Sequence, residues 1–144
     1  MTEKTVFFEK SEEAVERLKV KAFINRYKKE IFAKLEELSA NSTITEAQSG
    51  GQQDKNFLIQ CLPIMSSIVQ VGSNSQDLPA ATAWVATKLP EVDAVTGLCS
   101  LTLVYLIEAG WQEYKDSTNE KKRAVWETMH TRVRRLFGTP GGNV

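Results

Sequence analysis

The stretch VTGLCSLTLVYLIEAGW, residues Val95–Trp111, is the longest apolar run in the chain and carries one charge, at Glu108. Its apolar part is interrupted by threonine and serine and is shorter than the roughly 20 apolar residues that cross a membrane. The apolar side chains point in every direction around a helix, a pattern typical of a helix wrapped by others. We therefore expect a central core helix over residues 91–115 and no membrane span.

Glu108 is the residue of this run that burial does not explain. Three small or short side chains lie on one line of the helix, where a neighbouring helix can approach closely: Gly97, Ser100 and Val104. Glu108 continues that line by one turn. We expect it either in water at the edge of the core or paired with an arginine, with Arg123 and Arg134 as candidates.

Helix signals dominate the rest of the chain. No segment alternates apolar and polar residues as a strand does, and no Asn-Gly or Asp-Gly hairpin turn occurs. The 144 residues, 42% hydrophobic, suit one domain. The sequence predicts an all-α fold, a single-domain bundle of about five helices, with a flexible loop at residues 39–54 and a frayed tail at residues 138–144.

The first helix is predicted to begin at Ser11, as N-cap, and to run to about Ser39. It carries two apolar stripes on nearly opposite sides: Val15, Leu18 and Ala22 on one, and Val20, Ile24, Tyr27, Ile31, Leu35 and Leu38 on the other. The helix must either bend where the stripes overlap or bury different faces along its length. A spare stripe would leave apolar surface for another chain.

Capping signals and prolines set the remaining boundaries. Asp54 is expected to cap a second helix that ends at Gly72 and is kinked or split at Pro63. Residues 78–89 form a short helix, and the stretch from Ser117 to Glu120 is expected to be a capping box. That box would open a last helix over residues 118–137.

Signals for chemistry are few. Eighteen basic residues balance eighteen acidic ones, so no overall field attracts nucleic acid. Cys61 and Cys99 lie in apolar segments and are expected to be buried free thiols, consistent with a cytoplasmic setting, and the N-terminus lacks the features of a secretory signal. His130 is the only histidine, so the pair formed with Glu127 cannot be doubled into a two-metal site. We expect no catalytic residue, metal or cofactor, and hence no enzyme.

The last helix offers the strongest positive signal, an apolar stripe flanked by basic residues. The candidate binding residues are Lys121, Lys122, Arg123, His130, Arg132, Arg134 and Arg135. These side chains either lie along the edge of the core and complement the negative end of the helix, or grip phosphates or an acidic partner. The sequence leaves both readings open.

The absence of catalytic motifs favours a non-catalytic helical module for protein–protein interaction or assembly, an adaptor or subunit that binds a protein partner or itself. One alternative is a nucleic-acid-associated subunit that uses the basic last helix. A second alternative is a small-molecule-binding bundle with a pocket lined by Trp84, Trp111, Tyr105 and Met65.

One stretch, KLPEVDAVTGLCSLTLVYLIEAG at residues 88–110, carries a Leu-Pro pair followed by a Gly-Leu pair. On Leu89, Pro90, Gly97 and Leu98 it resembles a stretch of the small helical subunits of type III CRISPR effector complexes. The resemblance covers this stretch alone, and no functional residue is carried over from it.

Overall fold

The computed structural model describes residues 6–43 and 50–137, and within these ranges the chain is all-α, as predicted. The described residues form seven helices rather than about five. They are α1 (Val6–Leu18), α2 (Lys21–Arg26), α3 (Lys28–Thr43), α4 (Gly50–Gly72), α5 (Asp77–Lys88), α6 (Ala94–Tyr114) and α7 (Glu120–Phe137). The additional helices arise because the predicted first helix is three helices.

The first break in that segment is a C-cap at Lys19, whose φ of 58° lies in the left-handed region. The amide of Lys19 donates to the carbonyl of Glu16 at 3.1 Å, and the amide of Val20 donates to the carbonyl of Val15 at 3.4 Å. This pair of bonds is a Schellman motif, and the apolar contact that accompanies it is supplied by Val15 and Val20, both fully buried. The chain then turns again at Tyr27, between α2 and α3.

The breaks at Lys19 and Tyr27 allow both apolar stripes of the predicted first helix to face the core. From both stripes, the side chains buried in the core are Val15, Leu18, Val20, Ile24, Ile31 and Leu35. The expectation of a spare apolar stripe on this segment is therefore wrong, because each short helix turns its own apolar side inward. Ser11 is not an N-cap either: it lies inside α1 and is buried.

Helix α6 is the core of the bundle, and α1, α4, α5 and α7 pack against it. It is the one helix among the described residues that is long and apolar enough to cross a membrane, yet 61% of its most apolar window is buried in the bundle. Two glycines permit close packing on α6. A Cβ at Gly97 would lie 3.3 Å from Val85, and one at Gly110 would overlap the ring of Trp126.

Helix α4 begins at Gly50, before the predicted start, and ends at Gly72 as predicted. Asp54 therefore lies inside the helix and does not cap it. Pro63 does not split the helix, because its missing amide affects only the exposed side, where water can satisfy the carbonyl of Ile59. The predicted loop at residues 39–54 is helical at both ends. Residues 44–49 and the predicted tail at 138–144 lie outside the described residues.

The later helices start at side-chain caps. Asn74 accepts hydrogen bonds from the amides of Gln76 and Asp77 ahead of α5, and Asp93 caps α6 by accepting from the amide of Thr96 at 3.0 Å. The predicted capping box at the start of α7 is wrong. Asn119 accepts from the amide of Lys122 at 3.1 Å, and this cap starts α7 two residues later than Thr118.

We predict that Lys19→Gly stabilises the protein by about 0.5–1 kcal/mol. Glycine removes the steric cost of a left-handed residue, about 1–2 kcal/mol, and loses part of this gain to the greater freedom of the unfolded chain. The ion pair of Lys19 with Asp77, at 3.7 Å, joins an exposed lysine to a carboxylate that is only 15% exposed, and its loss offsets a further part of the gain. Urea unfolding followed by circular dichroism measures the change.

Lys34→Gly is the matched control, because Lys34 is an exposed residue inside α3. There the same substitution is expected to cost about 1 kcal/mol. Equal destabilisation by both substitutions would show that Lys19 carries no left-handed strain.

Candidate functional site

Helix α7, which holds the predicted binding residues, lies against α3, α4 and α6. Each of these helices presents one carboxylate to α7. We call Glu36 of α3, Asp54 of α4 and Glu108 of α6 the three carboxylates. Their contacts determine how much of the basic character of α7 remains available for a partner.

Glu36 holds the N-terminal half of α7. It accepts hydrogen bonds from Lys122 Nζ at 3.0 and 3.2 Å and from Trp126 Nε1 at 2.8 Å. The indole of Trp126 is fully buried, stacks on Tyr114 with ring centroids 5.7 Å apart, and meets the edge of Phe32 at 4.7 Å. Lys122 is thus a structural residue that satisfies a carboxylate beside an aromatic cluster.

Asp54 holds the C-terminal half of α7. Its carboxylate is buried and accepts two bonds from Arg135, Nε at 2.7 Å and Nη2 at 2.9 Å, while Arg132 Nε lies 3.7 Å away. Burial lowers the pKa of Arg132 and the charge of Asp54 counteracts this, whereas the hydrogen bond from Arg135 to Asp54 raises the pKa of Arg135. Arg132 is only 3% exposed, and its guanidinium lies over the ring of Phe57.

Glu108 pairs with His130, and not with an arginine as one of the two sequence-based alternatives expected. Nε2 of His130 lies 2.8 Å from Glu108 Oε1, and Gln112 donates to Oε2 at 2.9 Å. An ionised carboxylate can only accept, so Nε2 carries the proton, and the 3.4 Å contact from Arg134 to the same nitrogen is not a hydrogen bond. The imidazole also stacks on Trp111, with centroids 5.1 Å apart.

The remaining predicted residues are dispersed. Arg123 does not approach Glu108 as one alternative expected; it donates to the carbonyl of Ser117 at 2.7 Å. Arg134 lies beside the Glu108–His130 pair and contributes a favourable charge to it. Lys121 is exposed. The seven candidate residues therefore do not form one basic patch, since the three carboxylates and a backbone carbonyl engage most of them.

Two open grooves flank Glu36 and Lys122. The larger, about 690 Å³, runs between α3 and the end of α6 and includes Phe32, Glu113 and Tyr114 among its lining residues, and the smaller, about 610 Å³, lies along the start of α7. Charged residues that line these grooves are paired with each other, including Lys28 with Glu113 at 2.7 Å. The four residues of the predicted small-molecule pocket line neither groove: Trp84, Trp111, Tyr105 and Met65.

Sequence reasoning missed a different surface, the exposed side of α4. Six residues there are spaced alternately by four and three positions, and we call them the α4 face: Gln52, Asn56, Ile59, Pro63, Ser66 and Gln70. Ile59, at the centre of the face, is 61% exposed, and Val71, about 100° around the helix from Gln70, is 69% exposed. Spacing of this kind places all six side chains on one side of a helix, as in the seam of a coiled coil.

The α4 face also lacks charge. The chain is 25% charged, yet no acidic or basic residue occurs from Asn56 to Gln76, and the nearest charged side chain on the exposed side is Lys55, at its margin. Neighbouring amides and hydroxyls bond along the helix instead, Gln52 to Asn56 at 3.1 Å and Gln70 to Ser66 at 3.0 Å. A count of charges along the sequence would have revealed this segment.

Both cysteines are free and buried, as predicted. Burial raises the pKa of Cys61 to about 12, and burial together with the charge of Asp93 raises the pKa of Cys99 to about 11. Thiols with such pKa values are protonated at neutral pH and are poor nucleophiles. The Glu-x-x-His spacing of Glu127 and His130 does not bring the two side chains together. His130 contacts Glu108, and Glu127 is exposed.

The chain matches no protein-family model, and neither a curated protein nor a solved structure is significantly similar to it. None of these comparisons supports the resemblance of residues 88–110 to a CRISPR subunit.

We predict that the Glu108–His130 contact makes stability depend on pH in the acid range. Burial alone would raise the pKa of Glu108, but hydrogen bonds from His130 and Gln112 and the charges of His130 and Arg134 hold it below the usual 4.5. A lowered folded-state pKa means that the carboxylate stabilises the fold above pH 4.5 and loses this contribution as the pH falls through the folded-state pKa. Glu108→Gln should therefore cost about 1–3 kcal/mol near pH 5, and this difference from the wild type should shrink as the pH falls below 4.5 and through the lowered folded-state pKa.

Glu127→Gln is the control, since Glu127 is an exposed carboxylate on α7. Its difference from the wild type should stay small across the same range in urea unfolding. If the unfolding free energies of Glu108→Gln and the wild type differed by the same amount at every pH, the lowered pKa assigned to Glu108 would be contradicted.

Proposed function

We propose that the protein is a non-catalytic assembly module that binds copies of itself through the α4 face. The observation that carries the proposal is the absence of charge on that face together with the exposure of Ile59 at its centre. Interface centres are depleted in charged residues relative to the rest of a protein surface, and exposed apolar side chains on such a surface favour docking.

Helix α7 provides the contrast within the same bundle. Its exposed positions include Glu120, Lys121, Glu127 and Arg135, the mixture of charges expected of a solvated surface. The exposed side of α4 instead carries amides, hydroxyls and apolar side chains, with Lys55 at its margin. This lack of charge contrasts with the 25% of charged residues in the chain as a whole.

The chemistry of the α4 face favours a second copy as the partner. An uncharged face offers no complementarity to a charged partner and does not repel an identical face. Amide and hydroxyl side chains both donate and accept hydrogen bonds, so two identical faces can satisfy each other. A face lined with lysine or glutamate could not do so.

Pro63 adds a second line of support. Proline inside a helix costs about 3 kcal/mol, because it removes one hydrogen bond and crowds the preceding turn. Its ring lies on the exposed side of α4, so it does not contribute to the core in return. A local departure from helix preference at the apolar centre of an uncharged face is typical of a functional surface.

The size of the face predicts weak association. A helix of 23 residues is about 34 Å long, and a strip about 10 Å wide gives on the order of 350 Å² for each copy. Interfaces of this size fall below the usual range for stable complexes. We therefore expect a dissociation constant in the micromolar range or above.

The nucleic-acid alternative is less favoured by this geometry. Lys122, His130 and Arg135 are already engaged by the three carboxylates, so phosphate contacts would have to displace ion pairs that hold α7 in place. Few uncommitted basic groups would give only weak, salt-sensitive binding.

We predict that light scattering shows a mass of 16.1 kDa at low concentration and a rise towards twice that value on concentrating the protein. A series from about 10 μM to 1 mM brackets the affinity expected. Ile59→Lys places a charge at the centre of the face and should keep the protein monomeric, and the exposure of Ile59 should leave the fold intact.

Thr131→Lys makes a change of the same charge at an exposed position of α7 and should associate like the wild type. A wild-type mass that stays at 16.1 kDa throughout the series would refute the proposal. Equal loss of association in Ile59→Lys and Thr131→Lys would move the interface away from α4.

A further inference from the structure

The six residues of the α4 face are chemically similar when read from either end. The outermost positions are both glutamine, Gln52 and Gln70. The next pair inward consists of small polar side chains, Asn56 and Ser66. The central pair, Ile59 and Pro63, is apolar. All three pairs are centred on the level of Cys61, so the face is nearly symmetric about the middle of the helix.

Such symmetry has a direct consequence for two copies lying side by side. When α4 of a second copy runs in the opposite direction and is centred at the same level, Ile59 lies opposite Pro63 of the second copy, and Gln52 lies opposite its Gln70. The apolar pairs then meet at the centre, and the amides form both ends. An apolar centre within a polar rim is the usual anatomy of a protein interface.

We infer that two copies pair through the α4 face, antiparallel and in this register, to form a closed two-fold dimer. The inference rests on the proposed function and goes beyond it, because self-association through α4 alone would also allow a parallel pair or contact with a different surface of the second copy. A surface that pairs with itself closes the assembly at two copies, whereas contact between unlike surfaces would extend it into a chain.

The charges at the ends of α4 distinguish antiparallel from parallel pairing. Lys55, at the margin of the face, and Arg135, which is half exposed on Asp54, both lie at the N-terminal end of α4. A parallel pair would place these basic groups level with their own copies. In the antiparallel register, Lys55 of the second copy lies level with Ser67, about 18 Å further along the helix.

The opposite end of α4 completes the charge match. A helix C-terminus carries a partial negative charge, and the last turn of α4 contains no basic residue to balance it. The antiparallel register brings this end towards Lys55 and Arg135 of the second copy. The same arrangement sets the two helix dipoles in opposite directions, which is favourable for helices lying side by side.

Disulfide cross-linking of the full chain tests the register. Cys61 and Cys99 are 0% and 3% exposed, so they can remain in place. Gln52→Cys and Gln70→Cys proteins are mixed in equal amounts, oxidised and digested, and the disulfides are identified by mass spectrometry. We expect the mixed 52–70 disulfide to exceed either homodisulfide several-fold, because a disulfide needs Cα atoms within about 7 Å.

A pair of charge variants provides an independent readout. Gln52→Lys combined with Gln70→Glu creates two ion pairs in the antiparallel register, whereas Gln52→Lys combined with Gln70→Lys creates like-charge contacts. We expect the first variant to dimerise about 10-fold more tightly than the second at low salt, because it gains two exposed ion pairs where the second gains two like-charge contacts. A parallel pair would bring like charges together in both variants.

The outcomes separate the two claims. A wild-type protein that is monomeric throughout the light-scattering series overturns the proposed function and this inference with it. Self-association that Ile59→Lys abolishes, with homodisulfides dominant or with no difference between the charge variants, overturns the antiparallel register and leaves the proposed function standing. Self-association without any cross-link at either position likewise overturns the register.

Discussion

The ring of Trp126 fills the space that Gly110 leaves on the central helix, and the bundle is arranged around this contact. Any side chain at Gly110 would overlap the indole, so the distance between α6 and α7 depends on the absence of a Cβ there. The same indole packs on Tyr114 and Phe32 and donates its N–H to Glu36. Three helices, α3, α6 and α7, thus meet at one side chain whose polar atom is satisfied.

The position of Trp126 fixes the register of α7, and that register brings its basic residues to Asp54 and Glu108. His130 contacts Glu108 about one turn after Trp126, and Arg135 contacts Asp54 about two and a half turns after it. A buried carboxylate without a partner is strongly destabilising, so these basic side chains are needed to stabilise the fold. The exposed side of α4 carries no ion pair of this kind between Asn56 and Gly72, and this is the surface that we propose for association.

Local signals in the sequence predicted the helical class, the central position of α6 and the end of α4 at Gly72. The overlap of the two apolar stripes predicted a bend in this region as one of two alternatives. It did not predict a helix end at Lys19, because a lysine in a left-handed C-cap carries none of the usual glycine signal. The sequence analysis also placed Asp54 at the start of a helix, because aspartate before an apolar segment is a common N-cap. A local signal of this kind cannot show that the carboxylate forms an ion pair with Arg135, 81 residues away. Long-range pairing of this kind depends on packing and not on local preference, which is also why the sequence left the role of the basic residues of α7 open.

The central claim is that α7 is committed to the fold while α4 carries the interaction surface. Backbone amide spectra recorded by nuclear magnetic resonance over a concentration series test it residue by residue in the unmodified protein. The account predicts that concentration-dependent shifts are confined to α4, between residues 52 and 71, with α7 unchanged. Shifts centred on α7, or spectra that do not change with concentration, would contradict it.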